Sequence, residues 1–138
     1  MKLQVLPETF DYYSFSSLQT LQQQRPAKKF FICSVPDDYS LLVEAPQIVE
    51  GPSLAEMESG DEITDFEEVE TGWRCIFIKD QLMFNEIGIA ANITGSLAAA
   101  AIGVLVMSGY RTDYFFIKAD NLERAMSCLR EAGHELTS

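Results

Sequence analysis

The side chains best suited to chemistry are few in this sequence and stand far apart. His134 is the only histidine, and the cysteines Cys33, Cys75 and Cys128 form no C-x-x-C pair. A zinc site needs three or four such ligands at short spacings, and a disulfide scaffold needs an even set, so neither is expected. Each cysteine falls in an apolar periodic segment, where a buried thiol acts as a small hydrophobe. The carboxylates are concentrated instead: from Asp37 to Glu70 there are twelve acids and no Lys or Arg. Within that run Asp61-Glu62-Ile63-Thr64-Asp65 lacks the alternating acids, glycine and closing glutamate of a calcium loop. The run reads as a solvated loop that keeps the protein soluble. There is no nucleophile elbow, no Gly-rich phosphate loop and no conspicuous carboxylate pair in an ordered element, so the sequence does not describe an enzyme. It calls for no cofactor and no metal.

The whole chain narrows the field further. A formal charge of -11 repels phosphates, which argues against nucleic acid and against anionic membrane surfaces. With 138 residues, 47% of them hydrophobic, the chain can bury one core or two small units. Ile87 to Tyr110 runs for 24 residues without a charge, long enough to cross a bilayer. Glycines and polar residues interrupt it, however, and its Ala-rich half gives way to Val104-Leu105-Val106. A helix followed by a buried strand accounts for both features. The chain opens Met1-Lys2-Leu3 and reaches Pro7-Glu8 after a very short apolar run, so no secretory signal is read and a cytoplasmic location is expected.

The elements that would position a site are clearest in the second half. Trp73 to Ile78 is a strand, its apolar run broken only by Arg74 and so buried on nearly both faces. Gly88 to Ala101 is a helix with Ile89, Ile93, Leu97 and Ala100/Ala101 on one stripe, ended by Gly103. Val104 to Met107 and Asp113 to Lys118 are strands joined by a Gly109-Tyr110-Arg111 turn. Asp120, three residues before Glu123, caps a second helix carrying Leu122, Ala125, Met126 and Leu129, and Gly133 stops it. His134 to Leu136 forms a last short strand. The first half reads as a strand or hairpin over residues 3–15 around a Pro-Glu-Thr turn signal, then a loop or single helical turn from Gln19 to Ala27. A hairpin of Phe30 to Val35 and Ser40 to Ala45 follows, with the four-residue turn Pro36 to Tyr39. Pro46 to Thr71 is then a long acidic connection. The fold class is α+β: a ferredoxin-like βαββαβ unit over residues 72–138, preceded by a smaller, β-rich half over 1–71 that includes the acidic loop 46–71. Both faces of the sheet are apolar, so a second sheet or second protomer should cover the face without helices.

Four segments carry a family resemblance: Gly72-Trp73-Arg74-Cys75-Ile76, Phe84-Asn85-Glu86-Ile87-Gly88-Ile89-Ala90, Leu97 to Ile102, and Ser108-Gly109-Tyr110-Arg111-Thr112-Asp113-Tyr114. Together they resemble the ACT domain, and more closely the small bacterial tandem-ACT proteins related to the ACT modules of the mammalian cytosolic arginine sensor. Phe30 to Ala45 is similar to that group's first hairpin, making the first half a degenerate ACT-like unit. The resemblance implies a non-catalytic regulatory protein that binds a small molecule, an amino acid in kind, and assembles as a homodimer or larger homo-oligomer. It places the ligand at the first strand-to-helix loop, Asn85, Glu86, Ile87, Gly88 and Ile89, with Ser108, Thr112 and Asp113 lining the neighbouring turn. A glycine at a helix start lets the backbone approach a ligand, and the free N–H groups there suit a carboxylate. The alternative is a protein–protein interaction module that keeps the fold without a ligand, with the acidic stretch as its contact surface. The group's usual S-T-Y-D-T-D-Y is Ser108-Gly109-Tyr110-Arg111-Thr112-Asp113-Tyr114 here, a departure that bears on ligand choice.

Overall fold

The computed structural model describes residues 1–26, 29–46, 62–80 and 88–138. Its elements in chain order are β1 (Lys2–Phe15), α1 (Leu18–Gln22), β2 (Phe30–Val35), β3 (Asp38–Glu44), β4 (Glu68–Ile78), α2 (Ile89–Ala99), β5 (Leu105–Ser108), β6 (Asp113–Lys118), α3 (Leu122–Glu131) and β7 (Glu135–Thr137). The fold is α+β, mostly antiparallel sheet with few helices. Two compact units divide the chain: a split unit of Met1–Thr9 with Gly72–Ser138, and an inserted unit, Phe10–Thr71. The segments read from the sequence, 1–71 and 72–138, differ from these units by residues 1–9.

In the split unit the strands lie in the order β5-β6-β4-β1, and β7 pairs in parallel with β1. The expected sequence strand, helix, strand, strand, helix, strand is present, but residues 2–4 take the pairing of the last strand: Lys2↔Glu135, Leu3↔Leu136, Gln4↔Thr137. β4 and β6 pair antiparallel from Trp73↔Lys118 to Phe77↔Tyr114, and β5 adds to β6 from Leu105↔Phe116 to Ser108↔Asp113. One face carries the core. Leu3, Val5, Ile76, Ile78, Phe115 and Ile117 from the strands meet Ile93 and Leu97 of α2 and Leu122, Ala125 and Leu129 of α3. Each fully buried Ile or Leu contributes about 1.5–3 kcal/mol relative to exposure. The stripe expected on α2 is the stripe that packs: Ile93 and Leu97 are fully buried, while Ile89 and Ala100 rest on the core's edge. On the opposite face Cys75 and Phe116 are buried, Phe77 lies 5.9 Å from Tyr114, and Lys118 sits 4.7 Å over the Trp73 ring.

The ends of the helices differ from the sequence reading. α2 stops at Ala99, not at Gly103, because Ala101 itself takes φ 57° and the Ile102 N–H reaches back to Leu97 O at 2.9 Å. Burial of Ile102 at 3% exposure holds an alanine in that strained conformation. At α3 the expected Asp120 cap does not form. Asp120 lies in a one-turn 3-10 segment, Ala119–Asn121, and the N-cap is Asn121, which makes no side-chain capping bond. Gly133 ends α3 as expected, with His134 N–H donating to Leu129 O at 3.0 Å.

The inserted unit orders its strands β2-β3-β1-β4. Of the strand and the hairpin read for residues 3–15 the strand is formed, over residues 2–15, since Pro7 is compatible with extended backbone and needs no donor at an exposed position. Two other local readings are corrected here. The turn between β2 and β3 has two residues rather than four, because Asp37 adopts φ 71° after Pro36 and Val35 pairs directly with Asp38. β4 begins at Glu68, five positions before Trp73, so the acidic connection ends earlier than its composition implies. Part of that connection is anchored as well. Ile63 is buried with Phe15, Leu21, Leu41 and Val43, and Phe66 meets Tyr13 edge-on at 4.9 Å. Most of the remainder, residues 47–61, lies outside the described residues.

Candidate functional site

The expected site lies at one end of the split unit. α2 finishes within a few residues of Leu105, which pairs through Phe116 toward Cys75, so the start of α2 points to the other end. That end holds Ile78, the last residue of β4, and the Ser108↔Asp113 pair that closes β5 and β6. Lys2 is there too: its carbonyl accepts from Lys79 N–H at 2.8 Å and its N–H donates to Asp80 Oδ2 at 3.2 Å.

Gly88 is the N-cap of α2 and takes φ 85°, ψ 0°, the left-handed conformation that glycine adopts without steric cost. Among the described residues no atom lies within 4 Å of where a Cβ would stand. Among the described residues no side chain caps the helix, and its first turn holds no acid. The N–H groups that open an α-helix have no intrahelical acceptor, so an anion placed there gains hydrogen bonds and a favourable dipole. Ile89 is committed to packing against the core.

The neighbouring turn is built more for structure than the sequence suggested. Thr112 Oγ1 donates to Ile78 O at 2.7 Å, fastening the β5–β6 turn to the end of β4. Gly109 N–H donates to Thr112 O at 2.9 Å, and a Cβ on Gly109 would come within 3.1 Å of the Tyr114 ring. The glycine at this position therefore goes with the way Tyr114 lies beneath the turn. Ser108 is exposed and Asp113 half-buried at the head of β6. Gly88, Ser108, Thr112 and Asp113 thus share one end, while Asn85, Glu86 and Ile87 lie outside the described residues.

The sequence reading missed one polar contact at this end. His134 Nε2 lies 2.8 Å from Asn92 Oδ1, joining the residue before β7 to the first turn of α2. Nothing local in the sequence signals it, since the two residues are 42 positions apart. Burial, then the Met1 amino group, hold the imidazole below its usual range. Among the described residues no group of three His, Cys, Asp or Glu side chains could hold a metal ion. A cavity of about 290 Å³ lies in the inserted unit instead, lined by Leu18, Leu21, Ile32 and Leu41 with Gln24 and Ser34.

A family model described as the ACT domain matches residues 68–131. Three solved structures show how far the ACT-like fold extends. Protein Atu0741 from Agrobacterium tumefaciens is 22% identical, with a TM-score of 0.74 over 99% of this chain and 91% of that one. The regulatory subunit of aspartate kinase from Thermus flavus is 12% identical, with a TM-score of 0.60 over 96% and 97%. E. coli aspartokinase III in complex with aspartate and ADP is 12% identical, with a TM-score of 0.59 over 95% of this chain but 32% of that one. At these identities the likeness is one of fold. In fold the chain is similar to Atu0741 and to the aspartate kinase regulatory subunit, and the comparisons lend no support to a link with the arginine sensor. No curated protein matches the sequence significantly. Among the described residues no helix is long and apolar enough to cross a membrane.

Proposed function

We propose that the protein is a non-catalytic regulatory module that binds an amino acid at the start of α2. The observation that carries this is the uncapped N-terminus of α2, opened by Gly88 in a left-handed conformation, at the end of the sheet where Asp113 begins β6. The ligand carboxylate takes the N–H groups of Ile87 to Ile89, and its ammonium takes Asp113. Asn85, Glu86 and Ser108 complete the rim. Thr112 contributes by fixing the turn, its hydroxyl being bonded to Ile78. The likeness in fold to a regulatory subunit of aspartate kinase supports the regulatory reading, and the likeness to part of an aspartokinase solved in complex with aspartate and ADP is in keeping with an amino acid as ligand. The module works in the cytoplasm as a homo-oligomer and reports on metabolite level to a partner enzyme.

Thermal-shift screening against the free amino acids is the direct test. A ligand at a hundred times its dissociation constant stabilises by about 2.7 kcal/mol. Gly88→Val should then abolish binding, because a β-branched residue opposes positive φ and its side chain enters the ligand's space. Asp113→Asn should weaken it by about 1.5–3 kcal/mol. Unchanged affinity in both variants moves the site elsewhere. An amino-acid screen with no stabilising ligand favours the interaction module instead.

A further inference from the structure

His134 stands at a joint. Its backbone N–H closes α3 on Leu129 O, and the next residue starts β7. β7 is held to β1 by only three register pairs, aided by Glu135 N–H on Met1 O at 3.0 Å and Thr137 Oγ1 on Leu3 O at 3.5 Å. The ring reaches the other way. An amide oxygen only accepts, so the 2.8 Å contact with Asn92 Oδ1 requires the hydrogen on Nε2 and leaves Nδ1 as a bare lone pair. Nδ1 is buried and has no hydrogen-bond partner among the described residues. A proton arriving there would be buried without an acceptor among the described residues.

We propose that His134 is a proton-sensitive clasp: neutral, it ties the start of β7 to α2 through Asn92; protonated at Nδ1, it leaves its pocket and frees β7 from β1. The elements packed against it bring the Met1 amino group and Lys2 from β1, Glu135 from β7, and Arg130 and Glu131 from the end of α3, whereas α2 (Ile89–Ala99) carries no ionisable side chain. Burial and the Met1 amino group both disfavour the imidazolium. With the folded value below the unfolded one, the stabilisation is complete above about pH 6.5 and is lost as the pH falls below it toward the folded value.

His134 is the only histidine, so its ring resonances can be followed in the intact chain without assignment ambiguity. NMR at pH 7.5 should show the Nε2–H tautomer, with a titration midpoint below that of free histidine. Hydrogen exchange at Leu136 and Thr137, corrected for its intrinsic pH dependence, should rise severalfold between pH 7.5 and 5.5, to a ceiling of about tenfold set by the open-state imidazole, while Phe115 and Phe116 stay protected. His134→Gln keeps an amide donor and removes the titration, so the rise should vanish. Should that variant fail to fold, Asn92→Asp supplies a carboxylate that holds the imidazolium, and β7 should stay protected at pH 5.5. A midpoint at or above that of free histidine, or a rise in exchange that persists in the folded variant, overturns the clasp.

Discussion

Each unit sets a hairpin beside an earlier strand, β2-β3 against β1 in one and β5-β6 against β4 in the other, yet they hold themselves together differently. In the split unit, helices of eleven and ten residues cover twelve buried core residues. In the inserted unit, among the described residues, one helix of five residues covers a buried cluster of five. Where little can be buried, polar contacts take over. Ser17 caps α1 by accepting from Thr20 N–H at 3.2 Å. Gln24, 7% exposed, donates to Thr64 O at 2.8 Å and to Thr20 O at 2.7 Å, and its Oε1 accepts from Thr64 N–H at 3.0 Å. Among the described residues α2 and α3 have no side-chain caps, and their apolar stripes hold them instead. An α1 of barely more than a turn cannot persist on propensity alone, so its ends must be satisfied.

The largest expected contrast is chemical. Cys75, fully buried on the sheet of the split unit, has its thiol pushed up to about 12 by burial and by the Glu8 carboxylate. Its thiolate fraction at pH 8 is roughly a thousandfold below that of an ordinary thiol. Titration with a thiol reagent should therefore label the half-exposed Cys33 of the inserted unit and leave Cys75 untouched until unfolding. Rapid labelling of Cys75 in the folded protein would break the comparison.

Leu97→Ala should remove about 2–5 kcal/mol from the split unit, read as a fall in Tm or in denaturant midpoint, because the sheet beneath α2 cannot close over the lost volume. Gln24→Ala tests the inserted unit by the opposite route. It leaves the Thr64 N–H and carbonyl without partners, at a cost of about 1–3 kcal/mol for each group that stays dry. A cost well under 1 kcal/mol would mean that water replaces the clamp. The smallest effect belongs to Ser17→Ala, about 1 kcal/mol, with faster exchange at Leu21 as its signature. Equal losses from Ser17→Ala and Leu97→Ala would erase the distinction between the two units.

The split unit was the more legible of the two because its signals are periodic and local. Ile93 and Leu97 recur at helical spacing, and Asp113 to Lys118 shows the strand bounds found in the fold. The failures came where a distant partner overrode a local preference. Pro7-Glu8-Thr9 signals a turn, but residues 2–15 are drawn out by pairing; Arg74 reaches across from β4 to donate to Leu6 O at 3.1 Å, beside the proline. Gln24 looked like part of a polar loop, and its partner Thr64 lies 40 positions away. At the site, Gly88 was readable from its type alone, since few other residues start a helix from φ 85°. The committed hydroxyl of Thr112 was not, because Ile78 O is 34 positions distant.

The parallel pair of Lys2 with Glu135 has a consequence for how the protein is made. The ribosome delivers β1 more than 130 residues before its β7 partner. At roughly 5–20 residues per second, that wait lasts about 7–27 s. All the residues of the inserted unit emerge in the interval, so Phe10 to Thr71 can close on themselves, β3 pairing with residues 10–15, while residues 2–4 still lack their β7 partner. Long-range pairing of this kind is slow and leaves an open edge exposed to other nascent chains. Lys2, Pro7 and Glu8 on that strand are the residue types that discourage such encounters, so β1 carries its own protection during synthesis.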